Sequence, residues 1–126
     1  MNSSTGSILL VEDDPHVRDA LAELLAGEGY EVEIAEDGQE AIDLLEDGVT
    51  PSLFLIDLAL PRVSGTELLR YVHDDVALRV VPMIIITALP KEDVHVVADE
   101  IISKPMKIPQ FLGSVRRLMS EEGSTH

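Results

Sequence analysis

The sequence predicts an α/β domain built on a five-stranded parallel sheet with helices on both faces. Three observations lead there. Short aliphatic runs at residues 8–11, 52–57 and 82–87 are bounded by turn residues, the pattern of strands buried on both faces of a parallel sheet. Segments with apolar residues every three to four positions lie between the strands, and such alternation calls for helices wrapped around a parallel sheet. Each aliphatic run also ends abruptly on polar side chains, and in parallel sheets ligands bind at the carboxyl ends of the strands.

The first strand, residues 8–11, stops at Glu12-Asp13-Asp14-Pro15. Asp14 followed by Pro15 reads as an N-cap and the first position of a helix. Val17, Leu21, Leu24 and Leu25 recur at helical spacing, so the first helix runs to about Ala26, where Gly27 or Gly29 stops it. Residues 30–35 alternate polar with apolar, as a half-exposed edge strand does. The second helix starts near Gln39, turns Ala41, Ile42, Leu44 and Leu45 inward, and ends before Gly48. Residues 52–57 are the third strand and 58–64 a loop. A third helix at 65–73 buries Leu68, Leu69 and Val72. The fourth strand is 82–87, residues 91–98 leave room for a short fourth helix, and 101–103 is a short fifth strand ending at Lys104-Pro105. The fifth helix, 108–119, buries Phe111, Leu112, Val115 and Leu118.

The chain length of 126 residues suits one domain: a polar tail at 1–7, the folded unit at 8–119 and a second tail at 120–126. At 45% hydrophobic and 3% aromatic, its core is aliphatic. The absence of cysteine excludes disulfides, thiolate nucleophiles and Cys-bound zinc. No apolar run approaches the roughly 20 residues of a membrane span. The N-terminus lacks an apolar signal core, so the expected location is cytoplasmic. The net charge is −15, and residues 1–50 hold 14 of the 24 Asp/Glu but one of the nine Lys/Arg. Direct nucleic-acid binding needs a basic footprint, which this chain lacks. The four histidines are scattered without metal-pair spacing, and Lys107, Arg116 and Arg117 read as a solvated helix face.

In a parallel sheet the strand ends share one edge. Glu12, Asp13 and Asp14, then Asp57, Thr87 and Lys104 therefore converge. An Asp after a strand is more often a cap or turn residue, but clustered carboxylates in one crevice repel unless a cation sits among them. With oxygen ligands alone the expected ion is Mg²⁺. Asp57 can attack phosphorus as a carboxylate nucleophile. Mg²⁺ and the Lys104 ammonium would balance charge on the equatorial oxygens, with Thr87 donating a hydrogen bond to one of them.

The acidic run at 12–14, Asp57 with Pro61 and Gly65 behind it, Thr87-Ala88, and Lys104-Pro105 resemble, in this order and at strand ends, the receiver domain of bacterial two-component response regulators. The resemblance covers about residues 8–119. It implies a flavodoxin-like fold with strand order 2-1-3-4-5 and a role as phosphoacceptor rather than enzyme. Asp13 and Asp14 fall on the metal-binding acidic pair. Asp57 falls on the phosphoacceptor, also a metal ligand, and the Ala59 carbonyl would be a further ligand. Thr87 falls on the switch hydroxyl and Lys104 on the phosphate-binding lysine. The implied partners are a histidine kinase or phosphotransfer protein and a downstream output protein or domain, met through the face of helix 4, strand 5 and helix 5. Many members dimerise through that face, so the resemblance extends to a homodimer as a partner. A cis Lys104-Pro105 bond is implied as well.

The chain departs from the family in three places. Thr87 and Lys104 are separated by 17 positions, several fewer than is usual, and Pro90 limits where a helix can begin, so the fourth helix should be short, irregular or frayed. The family's aromatic switch position, three before the lysine, is Ile101. Ala59 and Leu89, each two residues beyond an active-site residue, are apolar and cannot position an attacking water, which points to a long-lived phosphoryl group. A haloacid-dehalogenase-type phosphatase would need a second Asp at position 59, where Ala59 stands. A receiver-like module that binds a partner without phosphorylation would fit the altered fourth helix and Ile101. Flavodoxin-like cofactor binding would need phosphate loops that are not found.

Overall fold

The computed structural model describes residues 6–57 and 63–123. Five strands, β1 (Ser7–Val11), β2 (Glu31–Ala35), β3 (Leu53–Asp57), β4 (Met83–Thr87) and β5 (Glu100–Ser103), pair in the order β2-β1-β3-β4-β5. All four pairings are parallel. The helices are α1 (Pro15–Gly27), α2 (Gly38–Glu46), α3 (Val63–Asp74) and α4 (Ile108–Gly123). Two 3-10 turns, Leu78–Val80 and Lys91–Asp93, complete the described elements.

Strand alternation splits the core into two layers. Ile8, Leu10, Leu53, Leu55, Ile84 and Ile86 face α1 and α4, meeting Leu21, Leu25, Phe111 and Val115. Leu9, Val11, Phe54, Ile56 and Ile85 face the other way, onto Ala41 and Leu45 of α2 and Leu68 and Val72 of α3. The central strands β1, β3 and β4 are buried along nearly their whole length, whereas β2 at the edge keeps three of its five residues exposed.

Helix ends follow local chemistry. Asp14 caps α1, with Oδ1 accepting from the N–H groups of His16 at 2.9 Å and Val17 at 3.3 Å. Of the two candidate stops, Gly29 has the left-handed conformation, φ +98°, and the chain turns there with Tyr30 N–H donating to the Leu25 carbonyl. Asp37 caps α2 by accepting from Glu40 N–H at 2.8 Å. At the far end of β1, Gly6 has φ +105°, and a Cβ there would come within 2.7 Å of the Met119 methyl. Helix α4 thus docks tightly under the sheet.

Besides the 3-10 turn at Leu78–Val80, which the sequence pattern does not predict, two elements differ from the expectation. The fifth helix there, now α4, continues past Met119 through Gly123 because Leu118 and Met119 are buried and the polar residues after them extend the turn. The fourth is a single 3-10 turn at Lys91–Asp93 followed by residues 94–98 without regular structure, the irregularity that the short span predicted. The Lys104–Pro105 peptide is cis, as the resemblance implied. Ser114 Oγ donates to Glu100 Oε2 at 2.7 Å and Arg117 pairs with Glu100, tying α4 to β5.

Candidate functional site at the carboxyl edge of the sheet

Register brings the strand ends level. Val11 of β1 lies beside Ile56 of β3, Asp57 beside Ile86 of β4, and Thr87 beside Ser103 of β5. The next residues are Glu12 and Lys104, so side chains from four strands meet at one edge. The Lys104 ammonium reaches past the end of β4 and lies 2.6 Å from Asp57 Oδ2. The Asp57 side chain is only 3% exposed, and that of Lys104 is 27% exposed. Burial works against the Lys104 charge, but the hydrogen bond and charge of Asp57, with the charges of Glu12 and Asp14, outweigh it and raise its pKa above the ordinary value.

Glu12 is the buried acid of the site, 2% exposed. Its N–H continues the sheet, donating to the Ala35 carbonyl at 3.0 Å, and its Oε2 accepts from Asp14 N–H at 3.1 Å. Among the described residues no donor reaches the buried Oε1. Burial first, then a hydrogen bond with the Asp57 carboxylate and that group's charge, push the Glu12 carboxyl up to about 8. The Asp14 N–H and the Lys104 charge oppose the rise without cancelling it. The backbone carbonyl of Glu12 accepts from Arg18 Nη1 at 3.2 Å.

Thr87 is fully buried. Its Oγ1 accepts from Leu89 N–H at 3.0 Å, and its carbonyl accepts from Lys104 N–H at 2.8 Å. The hydroxyl therefore joins the end of β4 to the segment that leads away from it. Ile101, at the position that carries an aromatic residue in the resemblance, is half-buried against the layer of α2 and α3.

The sequence reading placed a metal-binding pair on Asp13 and Asp14. The structure spends the Asp14 carboxylate on the α1 N-terminus and leaves it exposed, while Glu12 meets Asp57. Asp13 is half-buried between them in sequence. Glu12, which the sequence already places among the acids at this edge, is the one that meets Asp57, while Asp14 followed by Pro15 caps the helix. The Ala59 carbonyl falls outside the described residues.

The donor set suits a hard divalent cation. It consists of oxygens, and one of them, Glu12 Oε1, is buried without a donor beside a second carboxylate. No group of three carboxylates or histidines among the described residues forms a ready cage. Mg²⁺ takes one or two carboxylates and keeps several waters.

A buried carboxylate in contact with an ammonium and a second acid, at the carboxyl edge of a doubly wound parallel sheet, is the equipment of a phosphoryl-accepting signalling domain. Comparison with known proteins makes the assignment specific. Residues 8–116 match the family model of the response regulator receiver domain, and the chain belongs to that family. The polar-differentiation response regulator DivK of Brucella ovis is 33% identical over 122 residues, covering 93% of this chain and 98% of the relative. The receiver domain of a signal transduction histidine kinase from Syntrophus aciditrophicus superposes with a TM-score of 0.85 at 33% identity, covering 96% of this chain and 95% of that one. The response regulator TrrA of Thermotoga maritima, solved in complex with Mg²⁺–BeF, gives a TM-score of 0.74 at 30% identity, covering 89% of this chain and 97% of that one. No helix among the described residues is long and apolar enough to cross a membrane.

Proposed function

We propose that Asp57 is the residue phosphorylated in this receiver domain, and that the acids serving it are Glu12 and Asp13, with Asp14 kept as the helix cap. The observation that carries the reading is the 2.6 Å contact between Lys104 Nζ and Asp57 Oδ2, with buried Glu12 hydrogen-bonded to the same carboxylate. One carboxylate oxygen of Asp57 attacks phosphorus in line, and the bond from phosphorus to the donor breaks with its electron pair leaving on the donor. Lys104 follows the negative charge from the free carboxylate to the phosphoryl oxygens. The Thr87 hydroxyl, which has a proton to give, donates to one of those oxygens. Glu12, Asp13 and Asp57 are the residues that would hold Mg²⁺, with the Ala59 carbonyl as a further expected ligand. When bound, the ion neutralises charge on the transferring group. TrrA, solved with Mg²⁺–BeF, supports the use of a divalent ion here.

The donor is a histidine kinase or phosphotransfer protein in the cytoplasm, and the chain's own chemistry is confined to accepting and losing the phosphoryl group. A downstream protein or domain reads the result. The test is incubation with acetyl phosphate and Mg²⁺ followed by intact mass. One added phosphoryl group is expected, absent in Asp57→Asn and in EDTA. A second reading, a partner-binding module that works unphosphorylated, is favoured by the missing fourth helix and by Ile101. An unmodified mass in protein shown separately to bind Mg²⁺ would replace the first reading with the second.

A further inference from the structure

Residues 1–50 carry 14 acids and a single base, Arg18. A guanidinium among so many carboxylates is expected to pair with one of them. Among the described residues Arg18 forms no ion pair. Its Nη1 donates instead to a neutral group, the Glu12 carbonyl, at 3.2 Å, and the residue is half-buried there. Its own N–H donates to the carbonyl of the cap residue Asp14 at 2.8 Å. Arg18 therefore closes back over the acidic loop that precedes α1.

That loop has to be held. Glu12, Asp13 and Asp57 repel one another when ionised, and a loop free to swing would relieve the repulsion by turning its acids outward. Glu12 N–H is fixed on the Ala35 carbonyl of β2 at 3.0 Å, and the Glu12 carbonyl is fixed by Arg18. With the peptide groups on both sides of Glu12 held, its side chain is directed to the Asp57 carboxylate, to which it hydrogen-bonds. The same carbonyl belongs to the planar peptide that enters Asp13, so the bond sets the start of that residue too. The charges that bear on the Glu12 carboxyl are those of Asp57 and Lys104, which leaves Arg18 to act through the backbone.

We propose that Arg18 is a positioning residue for the phosphoacceptor site: its hydrogen bond to the Glu12 carbonyl holds the backbone of Glu12 and Asp13 in the arrangement that serves Asp57. This role rests on the reading of Glu12 and Asp13 as the acids that would hold Mg²⁺. A guanidinium suits it, being always charged, weakly hydrated and armed with donors fixed in one plane. Groups that orient metal ligands from behind change metal affinity by about 10–100-fold when removed.

The test compares Arg18→Met, which keeps the length of the stem and removes the donors, with Arg18→Lys, which keeps a donor. The first readout needs no metal: amide hydrogen exchange of the unphosphorylated chain in EDTA, followed by NMR. In Arg18→Met the N–H groups of Glu12 and Asp14 should exchange about tenfold faster, a larger factor than at Leu10 and Leu55 within the sheet. The second is Mg²⁺ affinity by titration calorimetry. It should fall about tenfold in Arg18→Met, and Arg18→Lys should recover at least half of that loss on a logarithmic scale. Asp75→Ala, which removes the cap of the turn before β4, controls for general destabilisation and should bind Mg²⁺ as wild type does. Wild-type exchange at Glu12 and Asp14, or wild-type Mg²⁺ affinity, in Arg18→Met would overturn the proposal. So would a lysine variant no better than methionine, or an equal loss of affinity in Asp75→Ala. Glu12→Gln tells the two readings apart: if it too binds Mg²⁺ as wild type does, the acids are misassigned, and if it binds weakly while Arg18→Met does not, only the role of Arg18 fails.

Discussion

Lys104 Nζ lies 2.6 Å from Asp57 Oδ2, joining the residue after β5 to the end of β3 across the end of β4. The pair is unequal in exposure: the carboxylate is buried and the ammonium reaches solvent. Replacing Lys104 with Met leaves Asp57 buried against Glu12 with no cation. The expected loss of stability is about 1–3 kcal/mol, the cost of stranding a buried polar group, measured by urea unfolding without Mg²⁺. The rate of modification by acetyl phosphate should fall about 10²–10³-fold, the usual effect of removing a charge-stabilising group from a reacting centre. Near-normal modification of Lys104→Met would detach the lysine from the chemistry.

The raised pKa of Glu12 makes stability depend on pH in the metal-free chain. Its ordinary value is 4.5, and the fold holds it at about 8. Between those values the folded chain keeps a proton that the unfolded chain has released. The contribution is fully present below the unfolded value and is lost as pH rises through about 8. In EDTA, wild type should lose stability across this window more steeply than Glu12→Gln, which has no proton to release. Equal slopes would show that Glu12 is not held protonated. Mg²⁺ binding requires the ionised acid, so it should strengthen over the same rise in pH and release a proton.

Asp14 separates a capping role from a metal role. With both its backbone contacts on the α1 N-terminus, Asp14→Ala should cost about 1 kcal/mol of stability. Its Mg²⁺ affinity should stay within about twofold of wild type, whereas Glu12→Gln should weaken it by about tenfold or more, the range seen for groups around a bound metal. A large Mg²⁺ defect in Asp14→Ala would return the metal pair to Asp13 and Asp14.

Most of this fold is legible in the residues because burial on both faces leaves aliphatic runs that nothing else explains. The strands β1, β3 and β4 and their polar ends are readable for that reason, and the shortened path from Thr87 to Lys104 predicts a short or irregular fourth helix. The three consecutive acids were harder. Glu12, Asp13 and Asp14 are chemically alike, and only the exact end of β1 decides which one turns inward. The 3-10 turn at Leu78–Val80 was missed because its signal is a side chain: Asp75 Oδ1 accepts from the N–H groups of Ala77 at 2.8 Å and Leu78 at 3.0 Å.

The lifetime of the phosphoryl group follows from what surrounds Thr87. Leu89 keeps its N–H on Thr87 Oγ1 at 3.0 Å, and its side chain is 44% exposed. The residue is therefore next to the reacting edge, yet it offers attacking water no hydrogen bond. Ala59, two residues after Asp57, has no polar group in its side chain either. Hydrolysis then lacks a residue to orient or deprotonate the water, a contribution typically worth 10²–10⁴-fold where present. The purified phosphoprotein should lose its label slowly in Mg²⁺, and Leu89→Asn should speed the loss by about tenfold, because an amide at this exposed position can hold water. Both are read by intact mass against time. Rapid loss in wild type, or no change in Leu89→Asn, would place control of hydrolysis on some other group.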